Sequence, residues 1–277
     1  MHWPKWWGGL LANSLSLLSD ALHNLGDGLA LLFAYVANKV GKRDATRRKT
    51  FGYKRIEILS AFINSMVLIA ISVYLFVEAI KRFLNPVEVD GTIMLIVAII
   101  GLLANVISVI ILHKDSAHNL NVKAAYLHLI GDTLSSVAVI GGGVLIYFYD
   151  MHWVDPLITV LIGAYILKEA VSIVKETVDI LMQGTPKDLD LDKVQEAIEQ
   201  MPGIKNIHHV HTWSMDEKQF HFEAHVDLEE DIKVSESTKM QEEIEEMLNE
   251  KFGIEHVTLQ FEHDACTQKE LVNNHKK

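Results

Sequence analysis

From Ser14 to Met182 the chain is a series of apolar runs, each long enough to cross a bilayer, which takes roughly 20 helical residues. The runs are Ser14 to about Val40, Ile56 to about Leu84, Thr92 to Leu112, Ala124 to about Tyr149 and Leu157 to about Met182. The links between them alternate in charge. Lys39 to Arg55 is dense in cations, with Lys42, Arg43, Arg47, Arg48, Lys49 and Lys54, and His113 to Lys123 adds Lys114 and Lys123. Asn85 to Gly91 and Asp150 to Pro156 contain no Lys or Arg. Basic links stay in the cytoplasm, so the pattern predicts a membrane α-helical bundle of five full spans with its C-terminal end cytoplasmic. A soluble helical bundle is the alternative; span length and alternating link charge speak against it.

Composition shifts near Gly184, which divides the chain into a transmembrane domain, 1–183, and a second domain, 184–277. The second part holds 22 Asp and Glu against 10 Lys and Arg, enough to account for the net charge of −11. An acidic domain argues against nucleic acid as a partner and suits cations. The single Cys, Cys266, rules out an intrachain disulfide framework. The pattern after Gly184 predicts a helix over Leu191–Met201, strands over Ile204–Met215 and Gln219–Leu228, a helix over Ser235–Phe252 and a strand over Ile254–His263. That order, αββαβ, is a split, ferredoxin-like α+β arrangement. Alternation places Phe220, Phe222, Ala224 and Val226 on one face of the second strand and His221, Glu223 and His225 on the other. In the last strand Val257, Leu259 and Phe261 oppose Gln260, Glu262 and Asp264.

Ionisable residues inside a membrane span are costly and mark ion pathways. Two stand out as pairs: His23 with Asp27, and His128 with Asp132, each separated by four residues. Positions i and i+4 share one helix face. Two such helices side by side offer two imidazoles and two carboxylates to one divalent cation such as zinc. One pair alone reads equally as a hydrogen bond within a bundle; the repeat at identical spacing favours a cation site. Two aspartates cancel the ion's charge, and neutral imidazoles with an ordinary pKa near 6.5 can exchange protons for metal close to neutral pH. Asp20 is a further ligand or, preferably, is bonded to a neighbouring helix. Asn64 and Asn105 read as helix–helix contacts, and Gly141–Gly143 as a place of close helix approach.

Several stretches together resemble the cation diffusion facilitators, over nearly the whole chain. They are Asn13 through Asp27 (NSLSLLSDALHNLGD), Phe51 through Glu57 (FGYKRIE), Leu127 through Asp132 (LHLIGD) and His208 through Trp213 (HHVHTW). The nearest look is to bacterial zinc, cadmium and cobalt efflux proteins. The resemblance implies a homodimer in a bacterial cell membrane that exports zinc in exchange for protons or potassium, with His23, Asp27, His128 and Asp132 as the transport site. It implies six spans, of which this chain lacks most of the first, Trp6 to Ala12 being its outer end. A loop metal site found in some members falls here on Lys49 and Tyr53 and is expected to be absent.

For the cytoplasmic domain the resemblance implies a second metal centre. His208, His225 and Asp264 match ligand positions, Glu262 stands in place of a His, and Thr238 stands where another His is common. His209, His211 and Cys266 are substitutes if the strand register shifts. His221, His256 and His275 read as solvated surface histidines. The second centre is expected to sense cytoplasmic metal and tighten the dimer. Two other function classes compete: a metal-sensing membrane protein without transport, and an intramembrane metalloenzyme. The enzyme lacks support, since there is no His-Glu-x-x-His and no third acid near either pair except Asp20.

Overall fold

A computed structural model describes residues 3–116, 120–216, 219–264 and 270–272. It divides into two compact units, residues 1–35 with 61–174, and residues 36–60 with 175–277. Glu217, Lys218, Cys266 and His275 lie outside the described residues.

Six helices come first: α1 (Trp3–Leu11), α2 (Leu15–Gly41), α3 (Ile56–Leu84), α4 (Gly91–Ser116), α5 (Leu120–Tyr149) and α6 (Val154–Leu181). Four of them, α3 to α6, are long and apolar enough to cross a membrane. The sequence predicts a fifth span at α2. That helix has the length, 27 residues, but Asp20, His23, Asn24 and Asp27 dilute its apolar content. α4 and α5 run past their expected ends into the polar link at His113 to Lys123.

The first unit has a core of Leu17, Leu68, Met94, Val139, Ile158 and Ile162, drawn from α2 through α6. Large apolar side chains elsewhere on these helices stay uncovered, among them Leu31, Tyr74, Ile110 and Leu161. Helices apolar on the outside as well as the inside suit lipid as the surrounding solvent. Two contacts fix how closely the helices approach. A Cβ on Gly91 would stand 2.9 Å from the backbone nitrogen of Tyr147, so α4 starts hard against α5. In the glycine triplet, Gly142 packs on Ile158 and Gly143 on Leu95, while Gly141 faces open space.

The start of α2 is held from a distance. Asn13 adopts a left-handed φ of 51° and ends the α1 turn. Ser14 then caps α2, its Oγ accepting from the Leu17 N–H at 3.2 Å. The carboxylate of Asp155, fully buried at the start of α6, accepts from Ser14 Oγ at 2.7 Å, Leu15 N at 2.7 Å, Ser16 N at 3.1 Å and Ser16 Oγ at 2.6 Å. Arg82 lies 3.9 Å from the same carboxylate and donates to the Asn13 carbonyl at 2.6 Å.

In the second unit α7 (Leu191–Glu199), β1 (Ile204–Ser214), β2 (Phe220–Leu228), α8 (Val234–Phe252) and β3 (Ile254–Glu262) follow in order. Asp190 caps α7, and Gly253, at φ 66°, ends α8 in the left-handed conformation that glycine adopts without a Cβ penalty. The sheet order is β1-β2-β3, with β1 antiparallel and β3 parallel to β2. Phe222, Ala224 and Val226 pack on Val194, Ile198, Ile244 and Leu248 of the two helices, with Val257, Leu259 and Phe261 beside them. The other sheet face is therefore left to the histidines and carboxylates.

Candidate metal sites

Within α2, one helical turn separates His23 from Asp27; within α5, one turn separates His128 from Asp132. The two turns face each other. His23 Nε2 lies 3.7 Å from Asp27 Oδ2 and 3.4 Å from Asp132 Oδ1. His128 Nε2 lies 3.3 Å from Asp27 Oδ2 and 3.8 Å from Asp132 Oδ2. One ligand atom from each residue falls within 4.8 Å of all the others. A tetrahedral zinc with bonds near 2.0–2.2 Å has ligand-to-ligand edges of about 3.3–3.6 Å. The nitrogen-to-oxygen separations bracket that edge.

The donor atoms also want a partner. Asp27 Oδ2 is shielded from solvent and makes no hydrogen bond among the described residues, although both imidazoles are close. His23 and Asp132 are buried, whereas His128 is 40% and Asp27 29% exposed.

Asp20 is not part of this group. It is buried, accepts from Ser135 Oγ of α5 at 3.4 Å and from Asn24 Nδ2 at 3.2 Å. The preferred reading, a bond to a neighbouring helix, describes its place. Asn105 likewise reaches across from α4 to Ser136 Oγ of α5 at 3.3 Å. Sequence reasoning passed over Tyr165 and Glu169 of α6, which interact with each other; Glu169 also interacts electrostatically with His128. An acid in an apolar stretch was the available signal.

A second cluster lies on the open face of the sheet. His208 and His225 are cross-strand partners on β1 and β2. His208 Nε2 lies 3.5 Å from Glu262 Oε2, and His225 Nδ1 lies 2.6 Å from Glu262 Oε1. His208 is fully buried and its Nδ1 is held by Asn206 at 3.2 Å. That outer contact aims Nε2 at the cluster, as the partners of metal-ligating histidines do. Both His208 Nε2 and Glu262 Oε2 are shielded and lack a hydrogen bond among the described residues. Two such atoms facing each other suit a cation.

Asp264, the fourth expected ligand, is elsewhere. β3 ends at Glu262, so the alternation that would put both acids on one face stops there. Asp264 takes a φ of 47° and pairs with Lys205 at 2.6 Å. The Lys205 ammonium holds its carboxyl below the usual range, and Asp264 in turn raises Lys205.

The register of β1 does shift, through a bulge between His208 and His211 with His209 at φ 57°. Its effect is to stack His209 on His225, with centroids 4.6 Å apart, rather than to add a ligand. Backbone pairing of His209 and Val210 with Glu270 and Leu271 covers the bulge.

His221 is not a solvated surface residue. It is buried beneath Phe51, Trp213 and His256, with its ring stacked on the Trp213 indole at 5.3 Å. Burial first, then His256 and the nearby cation Lys54, push its pKa down, with Asp216 opposing.

Comparison with known proteins agrees with this architecture. Residues 3–182 match the family model described as the cation efflux transmembrane domain, and residues 186–264 match the cation efflux protein, cytoplasmic domain. The cadmium, cobalt and zinc/H(+)-K(+) antiporter of Bacillus subtilis (strain 168) is 42% identical over 260 residues, 93% of this chain and 83% of the relative. The metal cation efflux system protein CzcD of Cupriavidus metallidurans is 39% identical over 94% of this chain and 82% of its own length. The zinc transporter ZitB of Escherichia coli (strain K12) is 38% identical over the same shares, 94% and 82%.

Proposed function

Since the chain belongs to the cation efflux family, whose transmembrane model matches residues 3–182, we propose that it exports a divalent cation, zinc first, in exchange for protons. The observation that carries this reading is the convergence of His23, Asp27, His128 and Asp132 on one point inside the helical unit. Two carboxylates offset the charge of the ion, and the imidazole Nε2 atoms can ligate only when deprotonated, so loading releases protons and unloading takes them up. Relatives named for cadmium, cobalt and zinc, and for H(+) and K(+), support the same class of cargo and counter-ion. On this reading α2 is a fifth span, brought into the membrane by its site rather than by its hydropathy.

The sheet order, with α7 and α8 packed on one face, supports a ferredoxin-like domain in which His208, His225 and Glu262 hold a regulatory ion. Such a bound ion supplies a fixed positive charge between β1, β2 and β3; Asn206 orients His208 toward it. The proposed assembly is a homodimer in a bacterial cell membrane, as the relatives' organisms and the matched cytoplasmic domain support.

The test is zinc uptake into vesicles carrying the full chain. A pH gradient should drive uptake, and Asp132→Ala should abolish it while leaving the protein folded. Zinc binding with no uptake under any gradient favours a sensor; undiminished uptake by Asp132→Ala removes the proposed site.

A further inference from the structure

A cavity of about 510 Å³ opens in the second unit, lined by the loop before α3, the end of α6 and the edge of the sheet. Its lining includes Arg48, Lys49, Lys54 and Arg55, and not one Asp or Glu, in a chain whose net charge is −11. Among the described residues none of these four cations has a carboxylate within ion-pair distance. Lys49 sits over the Tyr53 ring, 4.3 Å from its centroid, and Lys54 is hydrogen-bonded to Gln219. Arg55 Nε is shielded from solvent and makes no hydrogen bond among the described residues. α3 begins at Ile56, another lining residue, so the positive end of its dipole borders the same space.

An ordinary basic loop spreads its cations into water. Here four line one cavity, with Lys54 and Arg55 half-buried, and the shielded Arg55 Nε–H makes no hydrogen bond among the described residues. An unpaired shielded donor is costly, and a phosphate oxygen is the acceptor that fits a guanidinium. We propose that this cavity binds a phosphate group, with Arg55 as the central contact and Lys54 and Arg48 beside it. The cavity is set where α3 starts and α6 ends, the height at which lipid headgroups meet spanning helices. An acidic phospholipid of the cytoplasmic leaflet is the natural carrier of that group; free phosphate has the same chemistry.

The experiment is native mass spectrometry of the full chain in neutral detergent, titrated with short-chain phosphatidylglycerol, phosphatidylcholine or inorganic phosphate. Saturable phosphatidylglycerol binding is expected, weaker by about fivefold in Arg55→Gln, the weight of one juxtamembrane cation. Arg55→Lys should retain most of it, and Lys42→Gln, on the same loop but outside the cavity, should retain all of it. Inorganic phosphate binding as well as the lipid, with the same loss in Arg55→Gln, supports the phosphate site and assigns it to a soluble anion. Phosphatidylcholine binding as tightly as phosphatidylglycerol, equal losses in Arg55→Gln and Lys42→Gln, or no saturable binding of either anion overturns the proposal. None of these readouts depends on zinc transport, so the cavity and the transport site fail separately.

Discussion

At the scale of single residues, Asp155 ties together more of the backbone than a lone carboxylate usually does. One fully buried carboxylate satisfies two backbone N–H groups and two hydroxyls at the start of the helix that bears His23 and Asp27. Asp155→Ala strands those donors and leaves Arg82 with Glu78 as its remaining nearby acid, at 3.7 Å. Removing one member of a buried charged network costs roughly 3–5 kcal/mol, so the unfolding midpoint of the full chain in detergent should fall sharply. An unchanged midpoint is incompatible with the network described. His221 makes a prediction of the opposite kind, through pH. Its folded pKa is depressed, so the folded state binds its proton less readily than the unfolded chain. Stability from the neutral ring is present above the unfolded pKa, about 6.5. It is lost progressively as pH falls from there toward the lowered folded value. Hydrogen exchange of β2 and β3 amides should quicken over that window, and His221→Phe should flatten the response. The convergence of His23, Asp27, His128 and Asp132 was legible because i and i+4 spacing is a local code. Asp155 was not, since its partners lie about 140 residues away in sequence and no periodicity announces them. The place of Asp264 was not legible, because alternation assumes a strand and β3 stops two residues earlier.

At the scale of elements, the limits of α3 follow from its apolar run, those of β1 and β2 follow to within one residue from the strand pattern, and alternation gives the choice of face in β2. The bulge at His209 could not be read this way, because a single extra residue leaves the composition of the strand unchanged. Helix approach is where sequence and structure meet most usefully. Gly91 touches backbone that cannot yield, whereas Gly141 touches nothing. Gly91→Ala should therefore destabilise by about 1–3 kcal/mol, the usual cost of overpacking. Gly141→Ala should be neutral or stabilising by up to about 1 kcal/mol, from helix propensity. Reversible unfolding titrations in mixed detergent would rank the two; equal effects would mean that α4 and α5 are not in contact at Gly91.

For the whole molecule, the two clusters of ligand atoms lie in different units and make independent claims on metal. Isothermal titration of the full chain should find two zinc ions per chain, one for each cluster. Asp132→Ala should remove one class of sites and Glu262→Gln the other. Loss of both classes from either substitution would mean the clusters are not separate. Uptake assays of Glu262→Gln should retain transport at high zinc while shifting its dependence on cytoplasmic zinc, as expected if that ion regulates and is not itself cargo.

The short stretch 270–272 has a practical bearing. Its carbonyls take the His209 and Val210 amides, so it fastens the outer border of the sheet beside His208. Deleting residues 270–272 should therefore release those two amides, and their exchange with solvent should quicken ahead of the rest of β1.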